Sequence, residues 1–213
     1  LGNRTFDLAE GLESKVKDCL SFTTSDEDDI VLVELVRPPR DLTIFGAGAD
    51  AVPIVHIASE LGYRISVVDH RDSYAVASRF PLAEVVHSAG YEDFSSLHLG
   101  ADSAVVVMTH NYLNDKKILQ NLAGSSAAYV GLLGPKARAD RIVAELREEG
   151  TLIVPELRAP VGLDLGADGP QEIALSILSE IQAFFRHTQA VPLRDIDGPI
   201  HSNGDRRACC PSR

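Results

Sequence analysis

The sequence predicts an α/β fold, a doubly wound parallel Rossmann-like sheet with a small N-terminal extension. From Asp41 onward, short apolar runs rich in Val and Ile alternate with segments of helical periodicity. Runs that are apolar at nearly every position are typical of strands covered by helices on both faces. A glycine-rich turn over residues 46–51 connects the first of these strands to the first helix. Repetition of strand and helix implies parallel strands joined by right-handed crossovers.

The first 40 residues differ from the rest of the chain. Residues 7–20 have the pattern of an amphipathic helix, residues 23–29 (TTSDEDD) that of an acidic loop, and residues 30–36 (IVLVELV) that of a strand. Pro38 and Pro39 then mark a boundary, because proline extends neither a helix nor a central strand. We therefore expect three parts: an N-terminal segment over residues 1–40, a Rossmann-like domain over 41–187 and a flexible tail over 188–213.

Within the Rossmann-like part, the predicted elements follow one another regularly. Strands are predicted at residues 42–45, 64–69, 83–87, 103–110 and 127–134. Helices are predicted at residues 49–62, 113–124, 135–150 and 170–187. A strand order of 3-2-1-4-5, which is common in this fold, would place the fourth strand beside the first.

Composition argues against several classes of partner. The 213 residues include 20 Lys and Arg against 31 Asp and Glu, so the formal net charge is −11. This charge argues against sequence-independent binding to nucleic acid or to an anionic membrane. No apolar run has the length of a membrane span, and residues 1–10 lack the pattern of a signal peptide. Because the chain does not begin with Met, we expect a processed or shortened protein.

Cysteine usage points to a reducing compartment. Cys19, Cys209 and Cys210 do not have the spacing of a disulfide framework or of a C-x-x-C metal site. We therefore expect a cytoplasmic protein with no metal site of its own. Cysteine is absent from Asp41 to the end of the last predicted helix, so this part of the chain has no thiolate nucleophile.

The glycine turn fits the pattern G-x-G-x-x-A, directly after a strand and directly before a helix. Gly46 permits the tight turn, Gly48 removes a side chain where a pyrophosphate would approach, and Ala51 allows the helix to pack closely on the sheet. The helix N-terminus stabilises an anion by roughly 0.3–1 kcal/mol. Asp69 ends the second strand, at about the spacing where an acid contacts a ribose hydroxyl.

Two interpretations of this turn stay open. In one, the glycines serve only the packing of strand on helix; in the other, they receive a nucleotide-like or pterin-like ligand, which the strand, the helix and Asp69 together favour. Asp50 argues against a plain dinucleotide site, because its carboxylate repels phosphate even though it suits the helix dipole.

Thr109, His110 and Asn111 end the fourth predicted strand, beside the glycine turn in the expected strand order. His110 is therefore the first candidate for acid–base chemistry or for a hydrogen bond to a ligand. The alternative is a surface histidine that is satisfied by its own loop. Asp115 follows at the start of a helix, where we expect it to cap the helix or to compensate its dipole.

Two further loops contain candidate ligand contacts. Gly134 and Pro135 start a helix that is followed by Lys136, Arg138 and Arg141. These cations could hold a phosphate or an acidic partner at the helix N-terminus, but we expect Arg138 and Arg141 on the solvated face. Before the last helix, Asp164 follows Gly162 in a glycine-rich loop and is either a site residue or a turn residue.

Five ordered stretches resemble the XdhC/CoxI family, the accessory proteins of xanthine dehydrogenase and related molybdenum hydroxylases. The resemblance runs from about Glu34 to about Ile181. Its stretches are ELVRPPRDLTIFGAGADAVPIVHIASELGYRISVVDHR, SRFPLAE, AVVVMTHNYLND, YVGLLGPKARADRI and LRAPVGLDLGADGPQEIALSILSEI.

The resemblance implies a Rossmann-fold domain, often preceded by a smaller domain. It also implies a protein that receives molybdenum cofactor (molybdopterin), protects it during sulfuration by a partner cysteine desulfurase, and inserts it into a xanthine dehydrogenase-type molybdoenzyme. A homodimer is also open. By motif position, the ligand-facing residues are Gly46, Gly48, Ala49, Asp69, Arg71, Thr109, His110, Gly134, Gly162 and Asp164.

The sequence departs from the family at three positions. Many relatives have His or another polar residue where Ala49 stands, which puts a ligand contact in doubt. Pro135 and Ala137 interrupt the Ser and arginines usual after GLLG, which weakens a basic anion pocket. Gly169 replaces the usual Thr before the last helix and removes a side-chain cap worth about 1 kcal/mol.

We therefore expect a cofactor-binding accessory protein rather than a catalyst. The alternative is an NAD(P)-dependent oxidoreductase, with His110 as acid or base and Asp69 favouring NAD over NADP. Against it, no His–Asp catalytic pair and no second substrate domain of adequate length is recognisable in the sequence. A third class, a nucleotide-binding regulatory module without chemistry, fits the same turn.

Overall fold

A computed structural model describes residues 21–26, 29–34, 38–92, 94, 96–151 and 157–197 of the chain. The helix predicted at residues 7–20, most of the predicted tail and all three cysteines lie outside the described residues. The limits predicted for the three parts of the chain stay predictions. Residues 39–186 form a compact unit and are described by themselves.

This unit is built on one parallel sheet. The strands are numbered from the start of the chain, where β1 (Ser21–Asp26) and β2 (Asp29–Glu34) precede this unit. In chain order the strands of the parallel sheet are β3 (Asp41–Phe45), β4 (Arg64–Asp69), β5 (Val85–Ser88), β6 (Ser103–Val107), β7 (Tyr129–Leu132) and β8 (Leu157–Arg158). The order across the sheet is β5-β4-β3-β6-β7-β8, and every neighbouring pair is parallel. The predicted fold class and the predicted strand order are therefore confirmed.

The helices α1 (Ala51–Glu60), α2 (Tyr112–Leu122), α3 (Lys136–Glu148) and α4 (Pro170–Arg186) cover both faces of the sheet. Successive residues of a strand point to opposite faces of the sheet. Leu42 and Ile44 therefore belong to the core under α1 and α4, whereas Phe45 belongs to the core under α2 and α3. Two apolar cores result. This is why the central strands are apolar at nearly every position.

Two elements differ from the prediction. β8 lies at the sheet edge and was missed, because its two residues are too short to show a hydrophobic period. The acidic loop predicted at residues 23–29 was wrong in part: β1 (Ser21–Asp26) and β2 (Asp29–Glu34) form an antiparallel hairpin, with Ser21 opposite Glu34. The acidic composition hid a strand that depends on pairing with β2.

Gly46 allows the end of β3 to approach the end of β6 very closely. Its φ is +118°, and a Cβ at this position would lie 2.5 Å from the carbonyl oxygen of Met108. The Gly46 N–H donates to Val68 O at 2.8 Å, which ties the turn to β4 as well. Only glycine fits both the backbone angle and the space. Among the described residues, none of the helices combines the length and apolar character that crossing a membrane requires.

We expect Gly46→Ala to lower the free energy of unfolding by about 3 kcal/mol, because it adds backbone strain and a collision with Met108. Gly62→Ala is the matched control: Gly62 also has positive φ, at +78°, but no atom lies within 4 Å of its missing Cβ. The control should lose only about 1 kcal/mol, for strain alone. Urea unfolding measures both, and equal losses would contradict the close approach.

Candidate functional site

The candidate site lies at the edge of the sheet where the parallel strands end. The loops after β3, β4, β6 and β7 all leave the sheet at this edge, because the strands run in one direction. The strand order reverses between β3 and β6, the position at which open α/β sheets bind their ligands. The glycine turn and the loop from Thr109 to Asn111 (the β6 tip) lie side by side there.

The glycine turn presents two free backbone donors. The Ala47 N–H donates to Asp69 Oδ2 at 2.8 Å, and the Ala47 carbonyl accepts from Arg79 Nη1 at 2.8 Å. The N–H groups of Gly48 and Ala49 have no acceptor among the described residues. Ala49 is exposed at the start of α1. Free donors at the positive end of a helix dipole are suited to an anion.

Asp69, at the end of β4, is fully buried and its carboxylate is occupied by donors. Arg71 donates to it from N at 2.9 Å, from Nε at 2.9 Å and from Nη2 at 2.7 Å, and Ala47 adds a fourth bond. Burial alone would raise the pKa of Asp69, but these donors outweigh it and lower the pKa to about 2. A ribose hydroxyl would have to displace a donor, and the predicted ribose contact stays a prediction.

Asp50 connects the glycine turn to the β6 tip. Its Oδ2 lies 2.6 Å from Nε2 of His110, 60 residues further along the chain. Its Oδ1 lies against Gly48, in the space a Cβ would need. Asp50 makes no side-chain cap on α1, and His110 has a left-handed backbone with φ +58°. The carboxylate of Asp50 thus fills the space beside Gly48 where a ligand would enter, and the His110 imidazole binds that carboxylate.

A buried carboxylate supports the β6 tip from below. Asp115 is fully buried, accepts from the Thr109 hydroxyl and backbone N–H, and pairs with Arg138 Nη2. Burial raises the pKa of Asp115, although Thr109 and Arg138 oppose that effect. Asn111, not Asp115, caps α2, because its Oδ1 accepts from two backbone N–H groups of the first turn. The solvated position expected of Arg138 was wrong, whereas that of Arg141 is confirmed.

The last three predicted residues form no hydrogen bond with the described residues of the glycine turn or of the β6 tip. Gly134 follows β7 with φ +142°, close to the Arg138 side chain. Gly162 packs against α4, where its N–H donates to Glu180 Oε2 at 2.7 Å. Asp164 is exposed in the loop that follows, and no hydrogen bond joins it to the described residues of the turn. Their roles as ligand contacts stay predictions.

Residues 46–51, Asp69, Arg71 and the β6 tip therefore come together at one edge. Sequence reasoning missed Tyr74 and Arg79, which lie beside the turn. The Arg79 guanidinium donates to the turn carbonyl of Ala47 and to Tyr74 O, both at 2.8 Å. The only available signal was that Arg79 belongs to the stretch SRFPLAE, which matches the family.

A protein-family comparison identifies this domain. The family model described as the XdhC Rossmann domain matches residues 42–181, which extend from Leu42 in β3 to beyond β8. The chain belongs to the XdhC family. The resemblance that the sequence predicts is thus confirmed, together with the Rossmann fold it implies.

Curated relatives and a solved structure agree with this family. A Bacillus subtilis protein, named as a probable xanthine dehydrogenase subunit, is 34% identical over 157 residues, 73% of this chain and 46% of that protein. The molybdenum cofactor insertion chaperone PaoD of Escherichia coli is 24% identical over 155 residues, 72% of this chain and 42% of PaoD. A crystal structure described as a xanthine dehydrogenase from Bacillus halodurans has a TM-score of 0.64 at 32% identity, over 77% of this chain and 47% of that one.

This XdhC-family chain spans less than half the length of each of these relatives. The similarity therefore concerns the Rossmann domain. What the longer relatives do as whole proteins is carried over only as a proposal.

We expect Asp69→Asn to lower the free energy of unfolding by about 2 kcal/mol at pH 7, because a pKa lowered from 3.8 to about 2 stabilises the folded state. A carboxyl with a lowered pKa stabilises only while it is ionised. The wild-type advantage should therefore shrink as the pH falls from about 4 to about 2. Urea unfolding as a function of pH measures this.

The exposed Asp164 provides the control, and Asp164→Asn should leave the free energy of unfolding within about 0.5 kcal/mol of wild type. A difference between Asp69→Asn and wild type that stays constant down to the lowest pH would contradict the arrangement at Asp69.

Proposed function

We propose that the protein is a molybdenum cofactor accessory protein: it binds molybdopterin, holds it during sulfuration, and delivers it to a xanthine dehydrogenase-type molybdoenzyme. The observation that carries this proposal is the pair of free turn donors beside the β6 tip, in a domain of the XdhC family. A relative bears the name of a molybdenum cofactor insertion chaperone, which supports the same role.

The residues at the sheet edge fit a phosphorylated pterin. The free N–H groups of Gly48 and Ala49 would hold the terminal phosphate, and the absence of a Cβ at Gly48 lets it approach. His110, 57% exposed at the mouth, would donate a hydrogen bond to the ligand. The cofactor itself supplies the dithiolene that carries molybdenum.

Asp50 must move before a phosphate can reach the turn. Its carboxylate lies against Gly48, and two like charges a few ångströms apart repel each other. When Asp50 swings away, His110 loses its partner and becomes free to donate to the incoming phosphate. In this proposal His110 exchanges a protein carboxylate for a ligand anion.

We propose that sulfur comes from another protein. Cysteine is absent from residues 41–187, so the Rossmann domain has no thiol that could carry a persulfide. We infer a cysteine desulfurase as the sulfur donor and a molybdoenzyme as the acceptor. A homodimer would be compatible with both.

The second candidate function is an NAD(P)-dependent oxidoreductase, and one observation favours it. His110 and Asp50 form the His–Asp pair that the sequence did not reveal, and such a pair can act as acid and base. The occupied carboxylate of Asp69 argues against it, because a dinucleotide ribose has no free acid to contact.

We expect Asp50→Asn to strengthen molybdopterin binding roughly fivefold, because it removes about 1 kcal/mol of repulsion from the turn. His110→Gly should weaken binding roughly tenfold through loss of a hydrogen bond to a charged group, and glycine suits the positive φ at this position. Anaerobic titration with molybdopterin, followed by its absorbance, measures both affinities.

Glu60→Gln is the charge-matched control, since Glu60 is an exposed acid at the opposite end of α1. It changes the net charge as Asp50→Asn does and should leave the affinity unchanged. If Asp50→Asn and Glu60→Gln behave alike, overall charge and not the turn governs binding.

A titration with NADH separates the two candidate functions. A cofactor carrier should bind molybdopterin and leave NADH unoxidised in the presence of carbonyl substrates. Oxidation of NADH that His110→Gly abolishes would support the oxidoreductase and overturn the carrier.

A further inference from the structure

The geometry beside the glycine turn points to a second ligand subsite. We propose that Arg71 and Tyr74 form a platform on which a flat heterocycle stacks, while Arg79 attracts the phosphate held by the turn. This proposal rests on the proposed function and specifies its ligand: a short phosphate monoester attached to a fused ring, as in a pterin, and not a dinucleotide.

Arg71 is held as a rigid plane. Its Nε and Nη2 form a fork on the buried carboxylate of Asp69, and its Cζ lies 3.7 Å from the centroid of the Tyr74 ring. The side chain is still 38% exposed, and Nη1 has no acceptor among the described residues. One face of the guanidinium thus lies on Tyr74, and the proposal assigns the exposed part of the side chain to the ligand.

A fixed guanidinium plane is a good partner for a flat ring. Arginine stacks on aromatic and heterocyclic rings because its charge is delocalised over a plane that is only weakly hydrated. The fork on Asp69 and the contact with Tyr74 order the side chain in advance, so little rotamer entropy is lost when a ring binds. A lysine carries the same charge but offers no plane.

Arg79 brings a positive charge that no carboxylate of the described residues neutralises. Its Nη1 donates only to carbonyl oxygens, those of Ala47 and Tyr74, and in the described part of the chain it forms no ion pair. Its bond to the Ala47 carbonyl also polarises the peptide group that this carbonyl shares with the N–H of Gly48. The Gly48 N–H therefore becomes a stronger hydrogen-bond donor. In a chain of net charge −11, this guanidinium is a local reason for an anion to bind here.

The same contacts argue against a dinucleotide. In nucleotide-binding Rossmann folds, the acid at the end of the second strand accepts from ribose hydroxyls. Asp69 occupies that position, but four donors fill its carboxylate. At the place where a ribose would meet a free carboxylate, this protein presents the planar guanidinium of Arg71. A phosphate monoester carries a charge of about −1.5 to −2 near pH 7, more than each phosphodiester of a dinucleotide, and gains more from Arg79.

Binding of two matched probes tests the subsite: a fluorescent oxidised pterin with a terminal phosphate monoester, and the same pterin after phosphatase treatment. For the wild type we expect fluorescence quenching on stacking, and about tenfold tighter binding of the phosphorylated probe. Arg79→Gln should reduce that preference, because the turn N–H groups and His110 stay in place; an unchanged preference would overturn the role of Arg79. NAD⁺ should bind at least tenfold more weakly than the phosphorylated pterin, because Asp69 has no free oxygen for its ribose.

Three variants test the platform of Arg71 and Tyr74: Arg71→Lys keeps the charge, Tyr74→Ala removes the ring, and Tyr74→Phe keeps the ring. Arg71→Lys and Tyr74→Ala should each lower pterin affinity about tenfold and reduce the quenching. Tyr74→Phe keeps the ring and should behave as wild type. Because Arg71 also binds Asp69, thermal unfolding checks that each variant is folded, and Tyr74→Ala leaves the Asp69 fork in place.

The outcomes separate this subsite from the proposed function. If Arg71→Lys and Tyr74→Ala bind the pterin like wild type while His110→Gly does not, the platform is overturned and the carrier stands. If the wild type binds neither pterin, both proposals fail. NAD⁺ binding as tightly as the phosphorylated pterin would overturn the inferred ligand class.

Discussion

The carboxylate of Asp69 is the interaction on which this edge of the sheet depends. A fully buried carboxylate is stable only when donors surround it, and here the glycine turn and Arg71 supply those donors. Asp69 needs these donors, and in turn it fixes the positions of the groups that supply them. Asp69 fixes the Ala47 peptide and thereby orients the turn, and it fixes the plane of Arg71. One buried charge thus organises β3, β4 and the loop that follows β4 into a single rigid corner.

The second constraint acts across the sheet. Gly46 lets β3 and β6 end in contact, which brings Asp50 within reach of His110, while Asp115 holds the tip that carries His110. The two carboxylates have different tasks. Asp115 is buried and supports the loop, whereas Asp50 lies at the mouth, where a ligand can replace it. A carboxylate that has to move before an anion can bind supports the proposed role of holding a cargo and releasing it.

Much of the fold follows from local sequence patterns. The apolar runs predicted the central strands within a few residues, and the G-x-G-x-x-A turn predicted the strand–turn–helix unit of the XdhC domain. Patterns failed where an element is short or depends on a partner, as at β8 and β1. The sequence predicted that Gly46, Asp69 and His110 lie at one edge of the sheet, because each stands at the end of a predicted strand; their contact with a ligand stays a prediction. Tyr74 and Arg79 do not stand at the end of a predicted strand, so the sequence did not reveal them.

The sequence by itself determined the α/β class, the order of the elements, the family, and the lack of a thiol between residues 41 and 187. These properties depend on composition and on spacing along the chain. Only the tertiary structure decided that Asp50 pairs with His110, that Arg71 fills Asp69, and that Asp115 lies beneath Thr109. Each of these contacts forms between loops or helices that the parallel sheet brings to one edge. Hydrogen bonds at this edge form between groups that are close in space but far apart along the chain. Which donors and acceptors are free and which are paired could therefore be read only from the tertiary structure.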